Sequence, residues 1–359
     1  MEQKKLVIKT KTQTYPIFIG SNLLSKLKIL TNENLNKFEK CLILVDKNVP
    51  KKISNTIRTS FKNKQVTALY FEANERNKNQ KNINKIIEIL LKKNFSRQDC
   101  LIAVGGGITG DLAGFIASIF KRGLQFVNIP TTLLAQVDSA IGGKTGIDLK
   151  NLKNIIGSFY SPEITIIDNH FLDTLPIQQF KCGLSEIIKH SLIEGENDWN
   201  QLKVLKNIKE LNEDVIYTSI KTKVGIVDRD PKEKNIRKFL NFGHTIGHAI
   251  ESFLLGTDRE VLHGEAVAAG IIMESFLSKI LCNFDENKVE EIKKFINSHF
   301  NKIIIRDEEI PEIIKIMSFD KKNQDNIPRF VLIKEIGTIE IGKKVNEKDI
   351  VSAFEFYSS

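Results

Sequence analysis

Apolar residues follow two different rhythms along this chain, and the change comes near Pro176. In the first part, short apolar runs alternate with stretches of helical spacing. Leu6–Lys9 and Tyr15–Ile19 read as short strands around a polar turn. Cys41–Val45 is a continuous apolar run closed by Asp46, as expected of a strand buried on both faces of a parallel sheet. Val66–Phe71 is another. Ile83, Ile86, Ile87, Leu90 and Leu91 recur at helical intervals and predict a helix over Ile83–Leu91. A strand at Cys100–Val104, a glycine cluster, a helix over Asp111–Phe120 and strands at Gln125–Ile129 and Ile164–Asp168 complete this part. Beyond Pro176 the segments 178–193, 198–206, 212–227, 238–254, 264–281, 286–298 and 308–317 read as helices, with one short strand at Phe330–Ile333. The pattern predicts an α/β N-terminal domain over residues 1–176 and a mostly α-helical C-terminal domain over residues 177–359.

Composition adds exclusions. With 359 residues, 41% hydrophobic and 27% charged, the chain has the balance of an ordinary globular protein, not a disordered or fibrous one. No apolar run reaches the roughly 18 residues that a membrane span needs. The stretch Met1–Leu6 is too short in apolar residues for a signal peptide. The four cysteines, Cys41, Cys100, Cys182 and Cys282, show no CxxC spacing, which argues against a disulfide framework and for a reducing cytoplasm. The net charge of +9 comes from dispersed lysines without interleaved aromatics. Nucleic-acid binding is therefore not expected, while a basic site for an anionic small molecule is compatible.

Four clusters carry candidate chemistry. Gly105-Gly106-Gly107-Ile108-Thr109-Gly110-Asp111 follows a strand and opens a helix. Glycines let backbone N–H groups approach a pyrophosphate, and a helix N-terminus favours negative charge; a tight turn is the plainer alternative. The acidic residue expected about 20 positions later is missing. Asp46, ending an earlier strand two residues before Asn48, could instead meet ribose hydroxyls. The second cluster runs from Pro130-Thr131-Thr132 to Gly146. There Asp138 and Lys144 flank a glycine pair, a compact place for an anion. Third, His244 and His248 lie four apart and share a helical face, and His263 follows. A catalytic zinc site needs three N/O ligands, often including a carboxylate, and Glu186 stands in an otherwise apolar helical stretch. Spacing alone favours His244 and His248 as the metal pair. Fourth, Glu233, Arg237 and Asn241 are spaced one helical turn apart. Arg122, Lys189 and the pair Lys321-Lys322 are further candidates for phosphate or carboxylate binding.

Taken together, these motifs resemble the 3-dehydroquinate synthase family of sugar-phosphate cyclases. The resemblance runs from about Asp46 to Val331 and rests on GGGITGDLAGF, KRGLQFVNIPTTLLAQVDSAIGGKTGID, KNIIGSF, GLSEIIKH, RKFLNFGHTIGHAIE and LHGEAVAAG. It implies a Rossmann-like N-terminal domain, a helical C-terminal domain and a homodimer. The implied reaction converts 3-deoxy-D-arabino-heptulosonate 7-phosphate to 3-dehydroquinate and phosphate, with NAD and Zn2+ or Co2+. The alternative is a metal-dependent alcohol or glycerol dehydrogenase of the same superfamily. The resemblance implies Glu186, His244 and His263 as metal ligands, which revises the spacing argument and leaves His248 as a substrate contact. Implied NAD contacts are Asp46, Asn48, Asn74, Glu75, Lys78, Gly107, Ile108, Thr109, Gly110, Asp111, Thr131, Thr132, Lys144, Lys153, Phe171, Leu172, Asp173 and Thr174. Implied substrate contacts are Arg122, Asp138, Lys144, Asn154, Lys189, Glu233, Arg237, Asn241, His248 and Lys321. Three positions depart from the family pattern: Asn74 stands for a glycine, a change the turn should survive because asparagine tolerates a positive φ, Pro231 for an acid, and Ser185 for an alanine.

Overall fold

The structure is a computed structural model, and it describes residues 3–9, 14–149, 152–318 and 328–359. The chain divides into two compact units. The first is Met1–Pro176 with Lys223–Lys232, and the second is Ile177–Thr222 with Glu233–Ser359.

The first unit is built on strands β1 (Lys4–Lys9), β2 (Thr14–Gly20), β3 (Lys40–Asp46), β4 (Gln65–Phe71), β5 (Cys100–Gly105), β6 (Gln125–Pro130), β7 (Lys144–Leu149), β8 (Leu152–Phe159) and β9 (Ile164–Asp168). Helices α1 (Leu27–Asn34), α2 (Lys51–Ser60), α3 (Gln80–Lys92) and α4 (Gly107–Ile119) cover the sheet. Seven strands form one sheet in the order β1-β2-β9-β6-β5-β3-β4, parallel except for the β1–β2 pair. The apolar runs have no polar alternation because both faces are covered. Cys41, Ile43, Val45, Ile102 and Val104 pack with Leu27, Leu30 and Ile57 on one face. Leu42, Leu44, Leu101 and Ala103 pack with Ile83, Ile86, Leu90, Leu112 and Ile116 on the other. β7 and β8 form a separate antiparallel hairpin, which the apolar pattern did not signal because its residues are only half covered.

The second unit holds α5 (Ile177–Glu194), α6 (Glu196–Leu202), α7 (Glu213–Arg229), which runs on into the first unit's segment, α8 (His244–Leu254), α9 (His263–Cys282), α10 (Glu286–His299), α11 (Ile310–Ser318), the hairpin β10 (Arg329–Glu335) and β11 (Thr338–Lys344), and α12 (Glu347–Ser358). α9 is the central helix. From Gly264 to Ser278 nearly every residue is buried, because it packs against α5, α8, α10, α12 and β10.

Three expectations change. The helix after the glycine cluster begins at Gly107, not Asp111, because Gly106 acts as its N-cap. The single helix read over 238–254 is two pieces, a 3-10 turn over Ile236–Asn241 and α8, divided by Gly243 at φ 78°. α1, α2, β11 and α12 lay outside the sequence reading. α1, α2 and β11 carry few apolar residues, whereas α12 buries Ile350, Ala353, Phe354 and Tyr357 and was simply not read.

Candidate active site

In the first unit, β4 lies on one side of β3 and β5 on the other. The loops after β3 and β5 therefore leave the sheet at the topological switch point, the usual ligand crevice of such sheets. Asp46 is the last residue of β3 and is nearly buried. Its Oδ1 accepts the Asn48 N–H at 2.9 Å, and burial raises its carboxyl above the ordinary range against the pull of that N–H. After β5, Gly106 caps α4 without a side chain, which leaves the first N–H groups of the helix to an anion. Ile108, Thr109, Gly110 and Asp111 form this opening turn. The Gly107 backbone sits so close to Ser139 that a Cβ would lie 2.7 Å from its Oγ. Thr131 donates its N–H to Gly105 O at 2.9 Å, and Thr132 Oγ1 accepts from Ala135 N at 3.2 Å. Phe171, Leu172, Asp173 and Thr174 lie in a 3-10 turn that Asp168 caps at the end of β9.

A polar network adjoins α4. The buried Lys78 donates to Asp111 Oδ2 at 2.7 Å and to Asn154 Oδ1 at 2.5 Å. Burial opposes its charge, but Asp111 holds the Lys78 ammonium above its usual range. Lys153 pairs with Glu75 at 3.3 Å. Asn154 has φ 52° and donates its N–H to Asp148 Oδ1 at 2.7 Å. Burial, with a contact to Glu75, pushes the Asp148 carboxyl up to about 6. Asp148 was absent from the sequence reading. Asn74 corrects that reading: its backbone is extended, φ −136°, and its side chain accepts from Asn77 N to cap a 3-10 turn. No positive φ has to be tolerated there.

Asp138 lies in a π-helical turn over Ala135–Ser139 and pairs with Lys223 at 2.7 Å. Lys223, only 6% exposed, was also missed. The signal was present: 216, 220, 223 and 227 fall on one helical face, and the other three positions are Ile, Ile and Val. Arg122 and Lys144 are exposed. Arg122 follows Lys121 with both φ angles positive, 64° and 48°, a strained pair of the kind that collects at functional sites. Gly142 and Gly143, also at positive φ, precede Lys144.

In the second unit, α5 brings Glu186 and Lys189, both essentially fully buried and in ion contact with one another. Glu186 Oε1 lies 3.3 Å from His244 Nε2 and 3.5 Å from His263 Nε2, yet neither carboxylate oxygen has a hydrogen bond of good geometry. Despite complete burial, Lys189 and His244 hold the Glu186 carboxyl well below its usual range. Burial and then Lys189 lower His244. Burial opposes a charged His263, but Glu186 and Glu251 outweigh it and take this imidazole up to about 10. His248 completes a triangle of rings, 5.0 Å from His244 and 5.6 Å from His263 by centroid, and is the most exposed of the three.

Close backbone packing sets this geometry. A Cβ on Gly264, next to His263, would lie 2.2 Å from Cys182 Cα on α5. A Cβ on Gly270 would lie 2.0 Å from the carbonyl oxygen of Gly243, next to His244. The buried Glu274 of α9 accepts from Gly243 N at 2.7 Å and Ile246 N at 3.1 Å, so it caps α8 from a neighbouring helix. Burial pushes its carboxyl up to about 8 against the pull of those N–H groups. Glu233, Arg237 and Asn241 do not meet along a helical turn as their spacing implied. Glu233 has φ 56°, and its Oε1 accepts from Asn241 Nδ2 at 2.8 Å, while Arg237 is buried in the 3-10 turn. Lys321 and Lys322 lie outside the described residues.

The fold is that of the sugar phosphate cyclases, and dehydrogenases share it. The crystal structure of 2-deoxy-scyllo-inosose synthase complexed with carbaglucose-6-phosphate, NAD+ and Co2+ matches with a TM-score of 0.85 and 25% identity, over 97% of this chain and 98% of that one. A glycerol dehydrogenase from Schizosaccharomyces pombe shares the fold at a TM-score of 0.64 and 16% identity, over 95% and 88% of the two chains. Residues 68–182 match the family described as 3-dehydroquinate synthase N-terminal, and residues 183–323 the one described as 3-dehydroquinate synthase C-terminal. The 3-dehydroquinate synthase of Pelagibacter ubique (strain HTCC1062) is 44% identical, over 96% of both chains. That of Parabacteroides distasonis is 38% identical, over 89% and 92%. The chain belongs to the 3-dehydroquinate synthase family, and it is an enzyme of that activity.

Proposed function

We propose that this chain binds NAD and a divalent metal and converts 3-deoxy-D-arabino-heptulosonate 7-phosphate to 3-dehydroquinate and phosphate. The observation that carries the metal centre is the convergence of Glu186 Oε1, His244 Nε2 and His263 Nε2. Ligands bonded at about 2.1 Å to a tetrahedral zinc stand about 3.4 Å from one another, and the two separations here are 3.3 and 3.5 Å. Lys189 faces Oε2 of Glu186, and the buried Oε1, without a well-formed hydrogen bond, is what such a cation would satisfy. When bound, NAD supplies a reversible oxidation of one secondary alcohol and the metal polarises that alcohol's oxygen.

The chain's own residues do the rest. The N–H groups opening α4 hold a pyrophosphate, and Asp46 accepts from ribose hydroxyls. Lys78 keeps Asp111 and Asn154 in place. Arg122, Lys144, Lys189, Arg237 and Lys321 neutralise the carboxylate and phosphate ends of the substrate, and Asp138, Asn154, Glu233 and Asn241 orient its hydroxyls. Each charge-assisted bond contributes about 1.5–3 kcal/mol. His248, an exposed imidazole beside the ligand set, contacts the substrate without holding metal. The transient oxidation would acidify the neighbouring C–H so that phosphate can leave, the phosphate itself accepting the proton, and return of the hydride would restore the alcohol before the ring opens. Ring opening and intramolecular aldol closure follow on a substrate held in one orientation. All four cysteines are buried and free, which supports a reducing, cytoplasmic setting, and no helix among the described residues is long and apolar enough to cross a membrane. A homodimer is the assembly the family resemblance implies. The test is phosphate release from the heptulosonate phosphate with zinc and catalytic NAD. NADH should stay near the enzyme concentration. Accumulation of NADH equal to substrate, without phosphate, would place the chain with the dehydrogenases.

A further inference from the structure

The motif NFGHTIGHAIE ends in an acid for which the reaction above has no use. Glu251 lies seven residues after His244, two turns along α8 and on the same face. It is 8% exposed, and its Oε2 lies 3.1 Å from His263 Nδ1. The other nitrogen of that ring, Nε2, is the one facing Glu186 Oε1. His244 has the same arrangement with a weaker partner: its Nδ1 lies 3.1 Å from the carbonyl oxygen of Phe242, and its Nε2 faces Glu186.

We propose that Glu251 is the positioning residue of the metal centre, holding His263 by its Nδ1–H so that the Nε2 lone pair points at the cation. The inference rests on the ligand set Glu186, His244 and His263. An imidazole can present one lone pair only if its other nitrogen keeps the proton, and an acceptor at Nδ1 decides which. A carboxylate does this more firmly than a carbonyl and makes the ring a better donor to the metal. Its charge, with that of Glu186, offsets part of the positive charge that a divalent cation and the buried Lys189 would bring to the cluster. Helix α8 thus supplies His244 directly and controls His263, which α9 carries, from the side.

Zinc affinity of the metal-stripped full chain, measured by chelator competition, tests this with Glu251→Gln and Glu251→Leu. Glutamine keeps an acceptor and loses the charge; leucine loses both. The leucine variant should bind zinc about 10–100-fold more weakly, with an altered visible spectrum of the Co2+-loaded protein, and glutamine should recover part of the loss. Leucine binding zinc like the parent with an unchanged cobalt spectrum overturns the proposal, and so does glutamine as impaired as leucine. If the leucine variant does not fold, ring-nitrogen NMR of the zinc-loaded parent decides. His263 with a proton on Nδ1 and metal on Nε2 supports the role of Glu251, and the opposite tautomer refutes it. A parent protein that binds no zinc overturns the ligand set itself, and this assignment with it.

Discussion

Replacing Gly270 by alanine should damage the metal centre from a residue that touches no ligand. The Cβ introduced by Gly270→Ala would begin 2.0 Å from the carbonyl oxygen of Gly243, and contacts under 3.0 Å essentially never occur for real Cβ atoms. The start of α8 must therefore move away from α9 by at least about 1 Å, the difference between those distances. His244 is the next residue after Gly243 and rides on α8, while His263 rides on α9. Metal–ligand bonds tolerate about 0.2 Å. The same shift stretches the bonds from Gly243 N and Ile246 N to Glu274. Zinc affinity should fall about 100-fold, near the upper end for disturbing the surroundings of a metal ligand. Overpacking should cost about 1–3 kcal/mol, or a melting temperature lower by about 2–10 °C. The assays are chelator competition and a thermal melt of the metal-free protein. Gly225→Ala is the control, since nothing lies within 4 Å of its Cβ. In the middle of α7 it should stabilise by up to about 1 kcal/mol. A Gly270→Ala protein whose zinc affinity stays within about twofold of the parent and whose melting temperature is unchanged would refute the packing argument.

Three further outcomes are expected. His263→Ala should lose zinc and activity together, whereas His248→Ala should keep zinc, measured by elemental analysis, and lose activity; the reverse would restore the His244–His248 pair as the metal site. NAD should bind far more tightly than NADP by calorimetry, because the Asp46 carboxylate at the end of β3 repels a 2′-phosphate, and equal affinities would sink that placement. Asp148 has its folded pKa raised from 3.8 to about 6, so the folded state holds this proton more tightly than the unfolded chain. Its contribution to stability therefore falls as pH rises through that window. Denaturant titrations between about pH 4 and 6 should show that fall weakened in Asp148→Asn, and an unchanged slope would assign it to other groups.

The sequence by itself determined the parallel sheet and the chemistry. Cys41–Val45 and Cys100–Val104 had to be covered on both faces, because no other placement buries those runs, while Gly105–Gly107 left open either a tight turn or a helix start facing an anion, and the structure has Gly106 cap α4. The histidines and Glu186 were legible as residue types. What spacing could not decide was which of them converge. His244 and His248 share a face of α8, yet it is His244 and His263, 19 positions apart, whose Nε2 atoms face one carboxylate oxygen. That convergence is set by backbone approach at Gly264 and Gly270, a contact between distant residues that leaves no periodic trace. The partners of Lys223 and Asp148 were hidden for a related reason. A lysine on an apolar helical face and an acid in a hairpin acquire meaning only when Asp138 and Asn154 are brought to 2.7 Å. Local pattern records burial and turn chemistry, because these are properties of neighbours in sequence. The pairing of charges across the fold depends on packing distances that only the tertiary structure sets.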